Sequence, residues 1–266
     1  MSFCDIVVDA CPRSDLYRTL HRARDMAGEF DADVSVVSYA WPPLSMTEAL
    51  APIPFTVQEQ TRAMEDALAA ARGAFDKVFG AKPERVEWCS GIGEPTEPMC
   101  DHLLVADLLI TSSAKADACV LPDPADITRR SGAPVLRLGR QSSGRFPNVL
   151  VAWKECSQAR RALHDALPLL ERAESVAVVG VGDEVSADRL EEMAGHLRRH
   201  QVKARHWHIA RCQEDVCADL LAQADREGAN LIVAGVYSRG PLTERVLGGV
   251  TSEILKSTDM SWFLAH

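Results

Sequence analysis

Short apolar runs alternate with helical patterns along the whole chain, and this alternation constrains the fold more than any other feature. No two successive runs are joined by a hairpin turn signal. Strands that are separated by helices need crossover connections, which place the strands parallel in a sheet covered by helices on both faces. The chain is therefore predicted to be an α/β protein.

The pattern occurs twice, at a period of about 145 residues, and a polar linker at 140–148 separates the two halves. The predicted strands are 4–10, 33–41, 85–90, 107–113 and 133–139 in the first half, and 149–154, 175–182, 202–209, 230–235 and 261–266 in the second. The predicted helices are 14–30, 57–79, 94–105, 157–173, 186–200 and 213–228, with a further helix start at 248–258. Ser14 or Asp15 is expected to cap the first helix. This arrangement predicts two doubly wound domains that pack as two subunits would.

Composition excludes several classes of protein. A net charge of −9 argues against binding to nucleic acid or to a membrane surface. No apolar stretch approaches the ~18 residues needed to span a bilayer. The N-terminus shows no basic region followed by an apolar one, and the eight cysteines are scattered without a CxxC pair. These features predict a cytoplasmic protein with reduced thiols.

Cys11 and Cys156 both follow the first predicted strand of a half and precede a helix, where a thiolate would be stabilised. The two cysteines are therefore predicted to occupy corresponding positions in the two halves. A small packing residue is the preferred interpretation, and a redox-sensing thiol is the alternative.

The stretch "GVYSRGPLTERVLGGVT" at 235–251 directly follows a buried strand. Ligands of parallel sheets bind at the carboxyl ends of the strands. Gly235 permits a tight turn, and Gly248 and Gly249 would let a phosphate approach the first amides of the next helix. Arg239 and Thr251 could add contacts to phosphate oxygens. Tight turns and close packing are the alternative explanation of these glycines.

The loop resembles the signature G-x2-G-x9-G-[ST/G] of the universal stress protein (UspA) family. Gly235 matches the first glycine, Ser238 stands at the second, and Gly248-Gly249 fill the last pair. The stretches 90–110, 131–138 and 149–179 are also similar to segments of that family. The resemblance covers both halves. It implies two Rossmann-like (adenine nucleotide alpha hydrolase-like) domains, each with a five-stranded parallel sheet, arranged as a pseudo-dimer through their fifth-strand regions.

The resemblance also implies a ligand site that differs between the halves. ATP-binding members of the family use an Asp at the end of the first strand and a glycine loop on the phosphates. Asp9 matches that Asp in a degenerate first domain (1–140), which lacks the glycine loop, whereas Lys154 occupies the position in the second domain (147–266). The candidate nucleotide- or phosphate-binding residues are Ala152, Lys154, Gly235, Ser238, Arg239, Gly248, Gly249, Val250 and Thr251. The implied ligand is ATP, ADP, AMP or another phosphorylated small molecule, in a stress-response role with at most slow ATP hydrolysis.

Two alternatives remain open at this point. His206 and His208 share one face of a strand, and Cys212 follows at its end, so the three could hold zinc in a metal-dependent hydrolase. The chain could otherwise be a ligand-free scaffold for a protein partner. Further homodimerisation is also open.

Overall fold

The computed structural model describes residues 2–43, 57–80, 83–116, 119–140, 142–210, 216–236 and 259–266. Its strands form one ten-stranded sheet in the order β3-β2-β1-β4-β5-β10-β9-β6-β7-β8. The first-half strands are β1 (Asp5–Asp9), β2 (Asp33–Ala40), β3 (Val86–Ile92), β4 (Leu108–Ser112) and β5 (Val135–Leu138). The second-half strands are β6 (Asn148–Ala152), β7 (Ser175–Val181), β8 (Ala204–Ile209), β9 (Leu231–Gly235) and β10 (Ser261–Ala265). The predicted α/β fold with two doubly wound halves is confirmed.

Eight helices cover the sheet in the described part of the chain. They are α1 (Leu16–Phe30), α2 (Val57–Phe79), α3 (Thr96–Leu103), α4 (Pro124–Ser131), α5 (Ser157–Asp165), α6 (Leu167–Leu170), α7 (Ala187–Arg199) and α8 (Val216–Glu227). Alternate strand residues serve opposite faces of the sheet. Ile6 and Val8 belong to a core that runs across both halves under α1, α2, α5, α6 and α7. Val7 belongs to a separate core under α3 and α4. Within the described residues, no helix is long and apolar enough to cross a membrane.

The two halves join edge to edge through β5 and β10, the one antiparallel pair in the described sheet. Leu136 pairs with Phe263, which is fully buried. The Gly139 N–H donates a hydrogen bond to Ser261 Oγ at 3.0 Å. The predicted pseudo-dimer through the fifth strands therefore exists as one continuous sheet.

Two helical regions depart from the sequence-based expectation, and a third lies outside the described residues. α4 was not predicted, because its segment contains prolines and few apolar residues; Asp123 caps it by accepting a hydrogen bond from the Ala125 N–H at 2.8 Å. The predicted helix 157–173 is two pieces, because Pro168 has no N–H for the helical ladder. The predicted helix start at 248–258 lies outside the described residues.

The expected cap of α1 is also different. Asp15 occupies the N-cap position, but its side chain caps no backbone amide of α1. It instead accepts a hydrogen bond from Ser112 Oγ at 3.0 Å and pairs with Arg18 at 3.2 Å. This residue therefore ties the start of α1 to the end of β4.

Candidate functional site

Asp9, the last residue of β1, is buried, and both oxygens of its carboxylate are bound by the protein itself. The residue is 0% exposed. Its Oδ1 accepts a hydrogen bond from the Cys11 N–H at 3.0 Å, and its Oδ2 accepts one from the Thr111 hydroxyl at 2.6 Å. Oδ2 also pairs with the guanidinium of Arg13. A ligand hydroxyl could reach this carboxylate only by displacing one of these partners.

Arg13 closes the carboxyl end of the first half. Its side chain is 1% exposed. Beyond Asp9 it donates to the Cys11 carbonyl at 3.2 Å, to Thr111 Oγ1 at 3.2 Å and to Ser112 Oγ at 3.3 Å. Burial opposes the charge, but Asp9 and Cys11 outweigh it and raise the pKa of Arg13. Neither Arg13 nor Thr111 stands out in the sequence, where the only signal is a cation four residues after Asp9.

A second buried arginine lies beside this network. Arg137 on β5 is 5% exposed and pairs in register with Thr111. Burial and the nearby Arg13 charge lower its pKa to about 10. The first half therefore holds two cations in its interior, close to the junction with the second half.

The sheet register shows that Asp9 and Lys154 are not equivalent positions. Asp9 pairs with Val37, and the next amide donates to the Val37 carbonyl at 2.8 Å. Ala152 pairs with Val179, and the next amide donates to the Val179 carbonyl at 2.8 Å. Ala152 is thus the counterpart of Asp9, and Lys154 lies two residues further on. The predicted equivalence of Asp9 and Lys154 is wrong, and so is that of Cys11 and Cys156, because Cys11 corresponds to Lys154.

Lys154 follows β6 at the carboxyl end of the second half and is partly exposed there. Its side chain is 53% exposed, and its Nζ lies 2.7 Å from Glu184 Oε2. The hydrogen bond and charge of Lys154 lower the pKa of Glu184. Both side chains are largely in solvent, so this pair is weak and exchangeable. An anionic ligand could therefore replace Glu184 as the partner of the Lys154 ammonium group.

Gly235, the last residue of β9, has a packing reason to be glycine. A Cβ there would lie 2.6 Å from the Gln158 carbonyl carbon and 2.7 Å from the Ala159 nitrogen, in the first turn of α5. This contact supports the packing explanation of the first glycine of the motif. The other loop candidates, Ser238, Arg239, Gly248, Gly249, Val250 and Thr251, lie outside the described residues.

The two cysteines near the strand ends play structural roles. Cys11 is 0% exposed, and burial together with the Asp9 charge raises its pKa well above the usual value. The Sγ of Cys156 accepts a hydrogen bond from the Ala159 N–H at 3.3 Å and so caps α5. For Cys11, this environment disfavours the thiolate needed for a redox sensor.

We expect native Cys11 to resist alkylation by iodoacetamide, because its thiol is buried and protonated. Cys4, which is exposed, should react about 100-fold faster at pH 8. Peptide mass spectrometry after timed quenching measures each site separately. In guanidinium chloride the two rates should converge, which controls for intrinsic reactivity. Comparable rates in the native protein would contradict the assigned burial.

The proposed zinc ligands on β8 have other partners. His206 Nδ1 lies 3.1 Å from Glu191 Oε2, and His208 Nε2 lies 3.0 Å from the Gly182 carbonyl oxygen. Among the described residues, no group of three His, Cys, Asp or Glu side chains is arranged to hold a metal ion. Cys212 lies outside the described residues. The described contacts therefore favour hydrogen-bonded histidines at this strand.

Comparison with known proteins shows that the chain shares its fold with solved structures of low sequence identity. No protein-family model matches the sequence, and no curated protein matches it. A universal stress protein from Archaeoglobus fulgidus DSM 4304 matches with a TM-score of 0.69 and 16% identity, over 97% of this chain and 95% of that chain. A functionally unknown protein from Pseudomonas aeruginosa PAO1 matches with a TM-score of 0.61 and 12% identity, over 99% and 92%. The chain thus shares its two-half fold with a universal stress protein over almost its full length.

Proposed function

We propose that this chain is a tandem universal stress protein that binds a phosphorylated ligand weakly in its second half (147–266), while its first half (1–140) is structural. The observation that carries the proposal is the difference between the two carboxyl ends. Arg13 fills the first one, whereas Lys154 is exposed at the second. The fold shared with a universal stress protein supports the assignment.

The ligand is held mainly through its phosphates. Ala152, the counterpart of Asp9, offers no carboxylate to a ribose, so the nucleoside has little to bind there. Lys154 supplies a cation for a phosphate, and a lysine has only donors to offer. The glycine motif at Gly248-Gly249 would add helix amides, with Thr251 and Arg239 as further donors. ATP, ADP and AMP are the ligands of first choice, and the proposed preference follows phosphate number more than the base.

The proposed role is binding and signalling during stress, in the cytoplasm. The site as proposed contains donors and cations for a phosphate chain. Hydrolysis of ATP is at most slow. The signal is the presence of the bound ligand and not a reaction product. If no ligand binds, the alternative function is that of a ligand-free scaffold for a protein partner.

We expect 5 mM ATP to raise the melting temperature by about 2 °C, which corresponds to about 1 kcal/mol for a Kd on the order of 1 mM. Inorganic triphosphate should act similarly, and AMP should act less. Lys154→Ala and Gly248→Val should each remove the shift. Differential scanning fluorimetry measures the shift, and native mass spectrometry shows any retained nucleotide.

Lys203→Ala is the matched control, because Lys203 is an exposed lysine that precedes β8 at the opposite end of the sheet. It should leave the ATP-induced shift unchanged. An unshifted melting temperature with every nucleotide, together with a ligand-free native mass, would rule out the binding proposal.

A further inference from the structure

A groove of about 650 Å³ separates α5 from α7 on one face of the second half. The corresponding helices of the first half, α1 and α2, pack directly on each other. α7 has 13 residues and α2 has 23, so the shorter helix leaves surface of α5 uncovered. A groove of this volume falls in the size range of small-molecule sites.

Apolar side chains line the base of the groove. Trp153 is 9% exposed and Leu163 is 2% exposed. Met193 packs against the same core from α7. The Trp153 Nε1–H has no hydrogen-bond partner among the described residues, which leaves a donor in this region. The base therefore offers apolar contact to a flat ring or a short chain.

Basic side chains from both helices line the rest of the groove. α5 contributes Arg160 and His164, α7 contributes His196 and Arg199, and His200 follows directly after α7. The rings of His196 and His200 lie 4.8 Å apart, edge to face. Burial and the charges of the other four groups lower the pKa of His196, which shows that positive potential converges there.

The acidic residues of the groove offset only part of this charge. Glu155 and Glu192 share Arg189 as their partner, at 2.8 Å and 2.6 Å, so these three groups leave one negative charge against Arg160 and Arg199. No ion pair ties Arg160 or Arg199 to another residue of the described ranges. The groove lining therefore keeps a net positive charge, on a chain with a net charge of −9.

We propose that the groove between α5 and α7 binds a small organic anion, a carboxylate or phosphate monoester attached to an apolar body. The apolar part lies on Trp153 and Met193, and the anionic head meets Arg160 and Arg199. This site is separate from the proposed phosphate site at Lys154 and does not depend on it.

Isothermal titration calorimetry with 1-naphthoate, 1-naphthyl phosphate and neutral 1-naphthol tests the proposal. At least one of the two anions should bind with a Kd below about 1 mM, and naphthol should bind roughly tenfold more weakly. Which anion binds more tightly identifies the head group. Equal affinity for naphthol, or no binding of either anion, would overturn the proposal.

Variants locate the site. The double variant Arg160→Gln/Arg199→Gln should weaken anion binding about tenfold or more. Arg226→Gln, an exposed arginine on α8, is the matched control and should leave it unchanged. Met193→Trp should weaken the anions and naphthol alike, because it fills the groove. Lys154→Ala should have no effect; unchanged binding in the double variant would place the ligand elsewhere.

The pH gives an independent readout. Burial and the neighbouring positive groups lower the pKa of His196, so this ring gains its proton only below the usual range of a histidine. That proton adds positive charge beside Arg160 and Arg199. Naphthoate remains an anion in this range, so its affinity should rise about twofold or more from pH 7 to pH 5. A flat pH profile would contradict a site that contains His196.

Discussion

Replacing Arg13 with methionine is expected to lower the free energy of unfolding by about 3–5 kcal/mol. The change leaves the Asp9 carboxylate at 0% exposure with only the Cys11 amide and the Thr111 hydroxyl as partners. An unpaired charge in the interior costs far more than the pair contributes. Urea unfolding followed by circular dichroism measures the loss.

Two further variants separate the buried charge from general damage. Adding Asp9→Asn to Arg13→Met should recover part of the loss, because the stranded charge is removed. Arg129→Met breaks the exposed pair with Asp126 and should cost about 1 kcal/mol or less. If Arg13→Met cost no more than Arg129→Met, the interior ion pair would have no structural importance.

Gly139→Ala is expected to lower the free energy of unfolding by about 3 kcal/mol. A Cβ at this position would clash with the Asp259 carbonyl oxygen and lie 2.7 Å from its carbon and 2.8 Å from the Met260 carbonyl carbon. All three are backbone atoms, so no side chain can rotate away. The β5–β10 junction would have to shift as a whole. Urea unfolding measures this loss as well.

Gly73→Ala is the matched control for that substitution. Nothing lies within 4 Å of a Cβ at Gly73, which is inside α2. There alanine should stabilise the protein by about 0.5–1 kcal/mol through helix propensity. A loss of stability at Gly139 beside a gain at Gly73 would show that close backbone approach requires glycine at Gly139. A gain of stability at both positions would refute it.

The order of elements could be predicted because each buried strand is a continuous apolar run and each helix presents an apolar face. α2 was predicted at its observed bounds for this reason. The meeting of the fifth strands was expected from the family resemblance, but their antiparallel pairing into one continuous sheet was not, because no local pattern encodes it. The pairing of elements far apart in sequence is decided by packing of the complete fold.

The candidate site was harder to predict than the fold. A two-residue slip between the halves preserves which side chains point to each face, so Asp9 and Lys154 looked equivalent by pattern. Only the hydrogen-bonded register with β2 and β7 assigns Ala152 to the place of Asp9. The role of Arg13 was equally hidden, because an arginine after a strand is ordinarily exposed and its burial depends on Thr111 from β4.

The antiparallel β5–β10 junction has a consequence for how the two halves can vary. In a symmetric dimer of identical subunits, every substitution appears twice. Each interface residue must therefore be compatible with the same surface on the partner subunit. Here Leu136 meets Phe263, so the two sides of the junction already differ. Residues 139–147 tether them, which keeps their effective concentration high at any dilution. Covalent linkage thus frees each half from self-complementarity, so one can seal its cleft with Arg13 while the other leaves Lys154 in solvent.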